Sequence, residues 1–329
     1  MRPFRYERAS SAEEALALIA AEPRARFLAG GTNLVDLMRL EVETPDVLID
    51  VTSLENDRIE DVDGGGLRIG ASVANSDAAG DRRVRERYPV LSQALLNGAS
   101  GQLRNLATVG GNLLQRTRCA YFQDVTKPCN KRDPGSGCPA REGDHRNLAV
   151  IGHSQHCVAT HPSDMAVALA ALDAVVHVRS VSGERAIPMV GFHRLPGDEP
   201  QRDTVLEPGE LITAVELPPV DGAFASIYRK ARERRSFAFA LVSIAAMVEL
   251  DDDGVVAAAR IAFGGLAHVP WRAARAEQAL RGERLGEDVL RRAADAELAQ
   301  ARPLPDNGYK VRLARNLLVS TMLDLARSR

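Results

Sequence analysis

The chain has 329 residues, 45% of them apolar and 26% charged, which is enough for more than one hydrophobic core and ordinary for a soluble globular protein. A formal net charge of −2 and a pI near 6.4 give no electrostatic basis for binding nucleic acid or an anionic membrane. No window approaches the ~20 apolar residues of a membrane span, and Met1-Arg2-Pro3-Phe4-Arg5-Tyr6 has neither the apolar run of a secretory signal nor a twin-arginine pair.

Taken in order, Ser10-Ser11-Ala12-Glu13-Glu14 reads as a capping box opening a helix over 12–21, with Ala15, Leu16, Leu18 and Ile19 on its buried side and Pro23 ending it. Arg26-Phe27-Leu28-Ala29 reads as a short strand running into Gly30-Gly31-Thr32-Asn33, after which Leu34 starts a helix to Leu40. Strand, glycine pair, small polar residue, helix is an arrangement that exposes backbone N–H groups to a phosphate. A single Gly-Gly before a helix is more often only a tight turn. Strands over 47–51 and 67–71, the second preceded by the turn Asp63-Gly64-Gly65-Gly66, lead to a helix over 89–96 that stops at Asn97-Gly98. A second glycine pair follows in Thr108-Val109-Gly110-Gly111-Asn112. Two such loops can clamp a diphosphate from two sides. Neither has the G-x-G-x-x-G spacing of a Rossmann fold, so that fold is not expected.

All four cysteines then fall in one stretch, Cys119, Cys129, Cys138 and Cys157, separated by nine, eight and eighteen residues. Asp133-Pro134-Gly135-Ser136-Gly137 continues neither helix nor strand, and 118–156 reads as a long irregular loop that needs something to order it. In a chain without a signal peptide, clustered thiols point to metal rather than to disulfides. The spacings match neither a zinc ribbon nor a ferredoxin run, and they leave a [4Fe–4S] cluster and structural zinc both open. His145, His153, His156 and His161 stand near enough in sequence to replace a cysteine, although loop histidines usually bond backbone or solvent.

Beyond Ala159-Thr160-His161-Pro162-Ser163, a helix is expected over 164–172, capped by Ser163 or Asp164. A hairpin over 174–181 and 184–189 turns at Ser182-Gly183, and a strand over 211–217 stops at Pro218-Pro219, the expected domain boundary. Strands over 224–230, 238–250 and 255–263 precede helices over 271–280, 287–301 and 307–326, the order of an α+β domain. Lys230 lies in the basic run Tyr228-Arg229-Lys230-Ala231-Arg232-Glu233-Arg234-Arg235, which by itself reads as a solvated charged turn.

Taken together, 27–34, Arg104-Asn105-Leu106-Ala107-Thr108-Val109-Gly110-Gly111-Asn112-Leu113, Pro162-Ser163-Asp164, and Glu210-Leu211-Ile212 followed by Tyr228-Arg229-Lys230-Ala231 resemble the flavin-binding medium subunit of the molybdenum hydroxylases, the xanthine dehydrogenase and carbon monoxide dehydrogenase family. The resemblance covers essentially the whole chain. It implies an α+β fold in which a two-part N-terminal FAD-binding domain of the PCMH type, over 1–219 with subdomains about 1–55 and 56–219, precedes a C-terminal domain over 220–329. FAD would lie between them. The resemblance assigns cofactor binding to Phe27, Leu28, Ala29, Gly30, Gly31, Thr32, Asn33 and Leu34, and to Arg104, Ala107, Thr108, Gly110, Gly111 and Asn112. It adds Thr160 and Ser163, Asp164 toward the ribityl or ribose region, Ile212 against the isoalloxazine, and Lys230 near the flavin ring or the acceptor's approach.

The segment about 116–158 is extra relative to the ordinary medium subunit. It resembles the insertion that carries a [4Fe–4S] cluster in the subfamily of the bacterial periplasmic aldehyde oxidoreductase, and more distantly that of 4-hydroxybenzoyl-CoA reductase. This makes Cys119, Cys129, Cys138 and Cys157 the implied cluster ligands. Two [2Fe–2S] centres would need about eight further ligands, so the resemblance implies a heterotrimer with a molybdenum-cofactor large subunit and a two-[2Fe–2S] small subunit. Electrons would pass to FAD and then to an external acceptor. The implied compartment is the cytoplasm, or the periplasm if a twin-arginine-bearing partner carries the chain across. The rival readings are a 4-hydroxybenzoyl-CoA reductase-type subunit and a zinc-stabilised scaffold without redox work.

Overall fold

A computed structural model describes residues 1–220 and 224–327. The expected C-terminal domain therefore has 221–223 and 328–329 outside the described residues.

Three sheets organise the chain. The first is parallel, in the order Arg5–Arg8, Val47–Asp50, Ala25–Leu28. The parallel neighbours Ala25–Leu28 and Val47–Asp50 need a crossover, which the helix Leu34–Arg39 supplies, while the two outer strands are linked through the helix Ala12–Ala21. Its capping box forms as expected: Ser11 Oγ accepts from Glu14 N–H at 3.2 Å, while Glu14 Oε2 accepts from Ser10 N–H at 2.7 Å. Ala15 and Leu16 are buried against Val47, Ile49 and Val51. The edge strand Arg5–Arg8 has no sequence signal, because its four residues are all polar or aromatic and mostly exposed.

The second sheet has five antiparallel strands in the order Ile59–Asp61, Leu67–Gly70, Leu211–Leu217, Val175–Ser180, Gly183–Pro188. The third has four, in the order Trp271–Arg272, Val256–Gly264, Val242–Leu250, Ala225–Ala231. Trp271 and Arg272 were expected to open a helix. They pair instead with Phe263 and Ala262, and the helix begins at Ala274. The expected strand over 238–250 likewise begins only at Val242, because 238–241 lines a cavity rather than joining the ladder.

Val242–Leu250 is buried on both faces. Ala245 and Met247 join the core of the five-stranded sheet, and Val242, Ile244, Ala246 and Val248 join the core of the C-terminal helices. That alternation follows from the two-residue period of a strand. The helix Asp164–Ala171 is buried at all eight positions, as an apolar helix wedged between two sheets must be. The last helix, Tyr309–Arg327, closes the second core and carries a buried Lys310. Its ammonium donates to Asn147 O and Leu148 O, both at 3.0 Å, and to Gly265 O.

The segment 118–156 is mostly irregular, as expected, with one helical turn at Ala120–Gln123 and a 3₁₀ turn at Pro139–Arg141. Sequence reading misses the helices Asn75–Gly80, Arg82–Arg87, Gly101–Leu106 and Val109–Leu113. All are five or six residues long, too short to show a 3.6-residue pattern. Among the described residues no helix is long and apolar enough to cross a membrane.

Candidate functional site

A cavity of about 810 Å³ lies where the glycine loops, the start of helix Asp164–Ala171 and the C-terminal sheet meet. Of the sequence-assigned residues, Thr32, Asn33, Arg104, Ala107, Gly111, Asn112, Thr160, Ser163, Asp164 and Lys230 line it. Phe27, Leu28, Ala29, Gly30, Gly31, Leu34, Thr108, Gly110 and Ile212 are not lining residues, although Gly30 and Gly31 directly precede Thr32 and Asn33 in the loop that is. Asn33 Nδ2, Asn75 Oδ1 and His161 Nε2 are buried wall atoms that, among the described residues, have no hydrogen-bond partner. Buried polar atoms left unpaired cost roughly 1–3 kcal/mol each, so a wall of this kind is built for a polar ligand.

The two glycine loops do different work. Among the described residues, the amides of Gly30, Gly31, Thr32 and Asn33 have no acceptor within the chain. Gly31 adopts φ +69°, the left-handed conformation that turns successive N–H groups to one side. This loop can receive an anion. The second loop cannot do so in the same way, because 109–113 is a helical turn whose amides are already used. Val109 N–H donates to Val73 O, Gly110 N–H to Ala71 O, Gly111 N–H to Thr108 Oγ1 and Asn112 N–H to Thr108 O. Its glycines serve close packing. A Cβ on Gly110 would stand 2.9 Å from that of Ala71, and one on Gly30 would stand 1.7 Å from the Leu106 carbonyl oxygen. The expected clamp from two sets of free amides is thus corrected to one amide loop and one packing turn.

Asp164 sits at the first turn of its helix, where Ser163 Oγ caps Ala166 N–H at 2.9 Å and donates to Asn112 Oδ1 at 2.6 Å. Its carboxylate receives Lys230 Nζ at 2.6 Å and Tyr228 OH at 2.5 Å. Burial pushes the Asp164 carboxyl upward in pKa, and Lys230 and Tyr228 oppose that shift. Lys230 is not in a solvated turn. It is buried on strand Ala225–Ala231 with its ammonium held by Asp164 and by Asn97 O at 3.0 Å. Ile212 does not line the cavity: Leu211 and Ile212, successive residues of one strand, face opposite sides and are buried in two different cores.

Cys119, Cys129, Cys138 and Cys157 line one small cavity, and Cys119 lines the large one as well. Burial pushes the Cys119 thiol up to about 11 and Cys157 up to about 12. Opposing this, the amides of Phe122 and Tyr121 favour a thiolate at Cys119, those of Val158, Ala140 and Arg141 at Cys138, and that of Ala159 at Cys157. The loop that presents them is tied by its own polar side chains. Ser136 Oγ accepts from Cys129 N–H at 2.9 Å, Asn130 Oδ1 from Gly137 N–H at 2.7 Å, and Asn130 Nδ2 donates to His156 O at 2.9 Å. Among the described residues no three His, Cys, Asp or Glu side chains converge closely enough to chelate a single ion.

The four histidines weighed as ligands have other work. His145 Nε2 accepts from Asp306 N–H at 3.2 Å, His153 Nε2 bonds Arg302 O at 2.7 Å, and His156 pairs with Asp198 at 3.3 Å while also lining the thiol cavity. His161 stacks on His193 with ring centroids 4.1 Å apart. Burial holds His161 well below the ordinary imidazole pKa and His193 down at about 4, so both are neutral at pH 7.

Between the cavities runs a buried polar network invisible in the sequence. Lys131 Nζ bonds His268 Nε2 and Pro200 O, both at 2.7 Å, and pairs with Asp203. Asp203 also pairs with Arg116 at 2.6 Å, and Arg116 with Glu43 at 2.5 Å. Burial alone would raise the Asp203 carboxyl, but Lys131, His268 and Arg116 hold it well below the usual carboxylate range. Arg118, Phe237 and Phe239 are further wall residues that sequence reading does not single out.

Residues 2–220 match the family described as the FAD binding domain in molybdopterin dehydrogenase, and residues 226–325 match the CO dehydrogenase flavoprotein C-terminal domain. The chain is 52% identical over 326 residues to the aldehyde oxidoreductase FAD-binding subunit PaoB of Escherichia coli (strain K12), across 98% of both chains. It is 27% identical to the glyceraldehyde dehydrogenase medium chain of Sulfolobus acidocaldarius, across 92% of this chain and 90% of that one. Among solved structures it is similar to quinoline 2-oxidoreductase from Pseudomonas putida 86, with a TM-score of 0.76 at 25% identity over 99% of this chain and 98% of that one.

Proposed function

The chain belongs to the FAD-binding family of the molybdopterin dehydrogenases, and from that membership we propose that it is the FAD and [4Fe–4S] electron-transfer subunit of a molybdenum-dependent aldehyde oxidoreductase. The proposed partners are a large subunit holding the molybdenum cofactor and a small subunit holding two [2Fe–2S] centres, with an external acceptor completing the route. The proposed domain division is 1–219 and 220–329.

FAD binding follows from the family, and the cavity fits it. Four free amides at 30–33 offer donors to a diphosphate, while Asn33, Asn75 and His161 offer buried polar atoms that lack partners. Bound FAD supplies the redox chemistry, and the protein supplies binding, orientation and electrostatics. Asp164, fixed by Lys230 and Tyr228, presents a carboxylate edge in a closed wall. The neutral His161 brings no charge to that wall.

The observation that carries the iron–sulfur part is the set of four thiols around one cavity, with backbone amides facing three of the sulfurs. Amides directed at cysteine sulfur are among the ways a protein stabilises such a cluster. A single zinc draws its four sulfurs to about 2.3 Å. Among the described residues no three such side chains converge on a single ion, and the preference for a cluster over zinc rests on the resemblance of the cysteine segment.

An absorbance spectrum of anaerobically purified protein, with flavin, iron, sulfide and zinc counted per chain, tests the proposal. The expected result is about one FAD with about four iron and four sulfide. Zinc in place of iron would overturn the cluster, and absence of flavin from every preparation would overturn the electron-transfer role.

A further inference from the structure

Arg118 lines the large cavity from the residue just before Cys119, and its guanidinium carbon lies 5.1 Å from the centre of the Phe239 ring. Among the described residues it makes no hydrogen bond and no ion pair. The neighbouring arginines differ. Arg104 Nη1 donates to Gly98 O at 2.6 Å, and Arg116 pairs with Glu43 and Asp203. Asp36 also lines the cavity and acts on Arg118 through its charge, without a hydrogen bond or a close ion pair. Arg118 is partly buried, burial lowers its pKa and the charge of Asp36 opposes that shift, and its planar fork, free of hydrogen bonds, suits a carboxylate or a phosphate. Phe239 fixes the plane of that fork by covering one face.

The anionic part of the dinucleotide proposed for this cavity is its diphosphate. We propose that Arg118 pairs with that diphosphate, which makes the cysteine excursion a working part of the flavin site. The inference rests on the FAD reading above. Arg118 and the Gly30–Asn33 amides are held in register, because Arg116 N–H donates to Asn33 Oδ1 at 2.8 Å. Since Cys119 borders both cavities, disorder in the thiol loop reaches Arg118 across one peptide bond. The filled thiol centre therefore tightens flavin binding, and bound flavin tightens the thiol centre by the same factor.

The test uses the full chain, freed of flavin with its metal retained, titrated with FAD and with riboflavin, which has the same ring and no phosphate. Arg118→Met is expected to weaken FAD roughly tenfold to a hundredfold and to leave riboflavin unchanged. Arg118→Lys keeps the charge and is expected to fall between wild type and Arg118→Met. Cys138→Ala is expected to weaken FAD by a factor no larger than Arg118→Met does. Unchanged FAD affinity in Arg118→Met, or equal loss of FAD and riboflavin, would overturn the assignment. Unchanged affinity in Cys138→Ala would overturn the coupling. Failure of the wild-type chain to take up FAD would overturn the underlying reading instead. Metal content, counted in each variant, reports whether the loop is intact, and if Arg118→Met has lost its metal, Arg118→Lys decides.

Discussion

Lys230 Nζ stands 2.6 Å from Asp164 Oδ2 with both side chains buried, and the pair joins the C-terminal sheet to a helix of the N-terminal half. Tyr228, two residues earlier on the same strand face, bonds the other carboxylate oxygen at 2.5 Å. One strand thus satisfies a buried carboxylate twice, at the wall of the cavity.

Removing one partner leaves an uncompensated charge. Lys230→Met is expected to destabilise the protein by about 3–5 kcal/mol. The double variant with Asp164→Asn should cost less than the sum of the two single changes. Denaturant unfolding of the four proteins in the cycle measures the coupling, and additive losses would show that the pair acts independently.

Acid should weaken the fold through the histidine pair. His193 titrates near 4 when folded and near 6.5 when unfolded, so between those values the unfolded chain binds more protons. Stability is full above the unfolded value and falls as pH drops through that window. By pH 5 the loss from His193 is roughly 2 kcal/mol, with His161 adding to it. His193→Gln should flatten the profile in urea midpoints taken from pH 7 to 5, and an unchanged slope would contradict the assignment.

The two glycine loops should fail differently. Gly30→Ala drives a Cβ to 1.7 Å from the Leu106 carbonyl oxygen, backbone that cannot yield without moving the loop, and is expected to cost about 3 kcal/mol. Gly111→Ala meets only Thr108 Oγ1 at 3.0 Å and Ala29 Cβ at 3.9 Å, and is expected to cost about 1 kcal/mol through a disturbed cap. Thermal melts compare the two directly.

Without metal, Cys119 and Cys157 should be poor nucleophiles. With thiols pushed up to about 11 and about 12, their alkylation at pH 8 is expected to be about a hundredfold slower than that of free cysteine. Peptide mass spectrometry of chelator-treated protein reads each rate. Rapid labelling would show that the loop opens once the metal is gone.

What could be read from the sequence was what is local. The capping box at Ser10–Glu14, the strand into Gly30-Gly31, the strand Leu211–Leu217 and the gathering of four cysteines each declare themselves within a few residues. Ile212 reads as a strand residue with one buried side, and the local pattern does not tell which of the two cores beside its strand it joins. Lys230 looked solvated because its partner Asp164 lies 66 residues earlier. The network of Lys131, Asp203, His268 and Arg116 is assembled from loops that nothing in the local pattern connects. Arg118 was hidden for a simpler reason, since an arginine beside a cysteine reads as a surface residue until a cavity is found next to it.

The walls of the large cavity draw on residues from Thr32 to Gly265, and Lys310 pins two of the wall loops from the final helix. A chain emerging from the ribosome can complete its first sheet early, since Arg5–Arg8, Ala25–Leu28 and Val47–Asp50 all lie in the first fifty residues. It cannot close the cavity until the helix Tyr309–Arg327, which carries Lys310, has been made. Cofactor capture therefore waits on that helix, and a chain cut before Tyr309 is expected to form its first sheet and to bind FAD poorly.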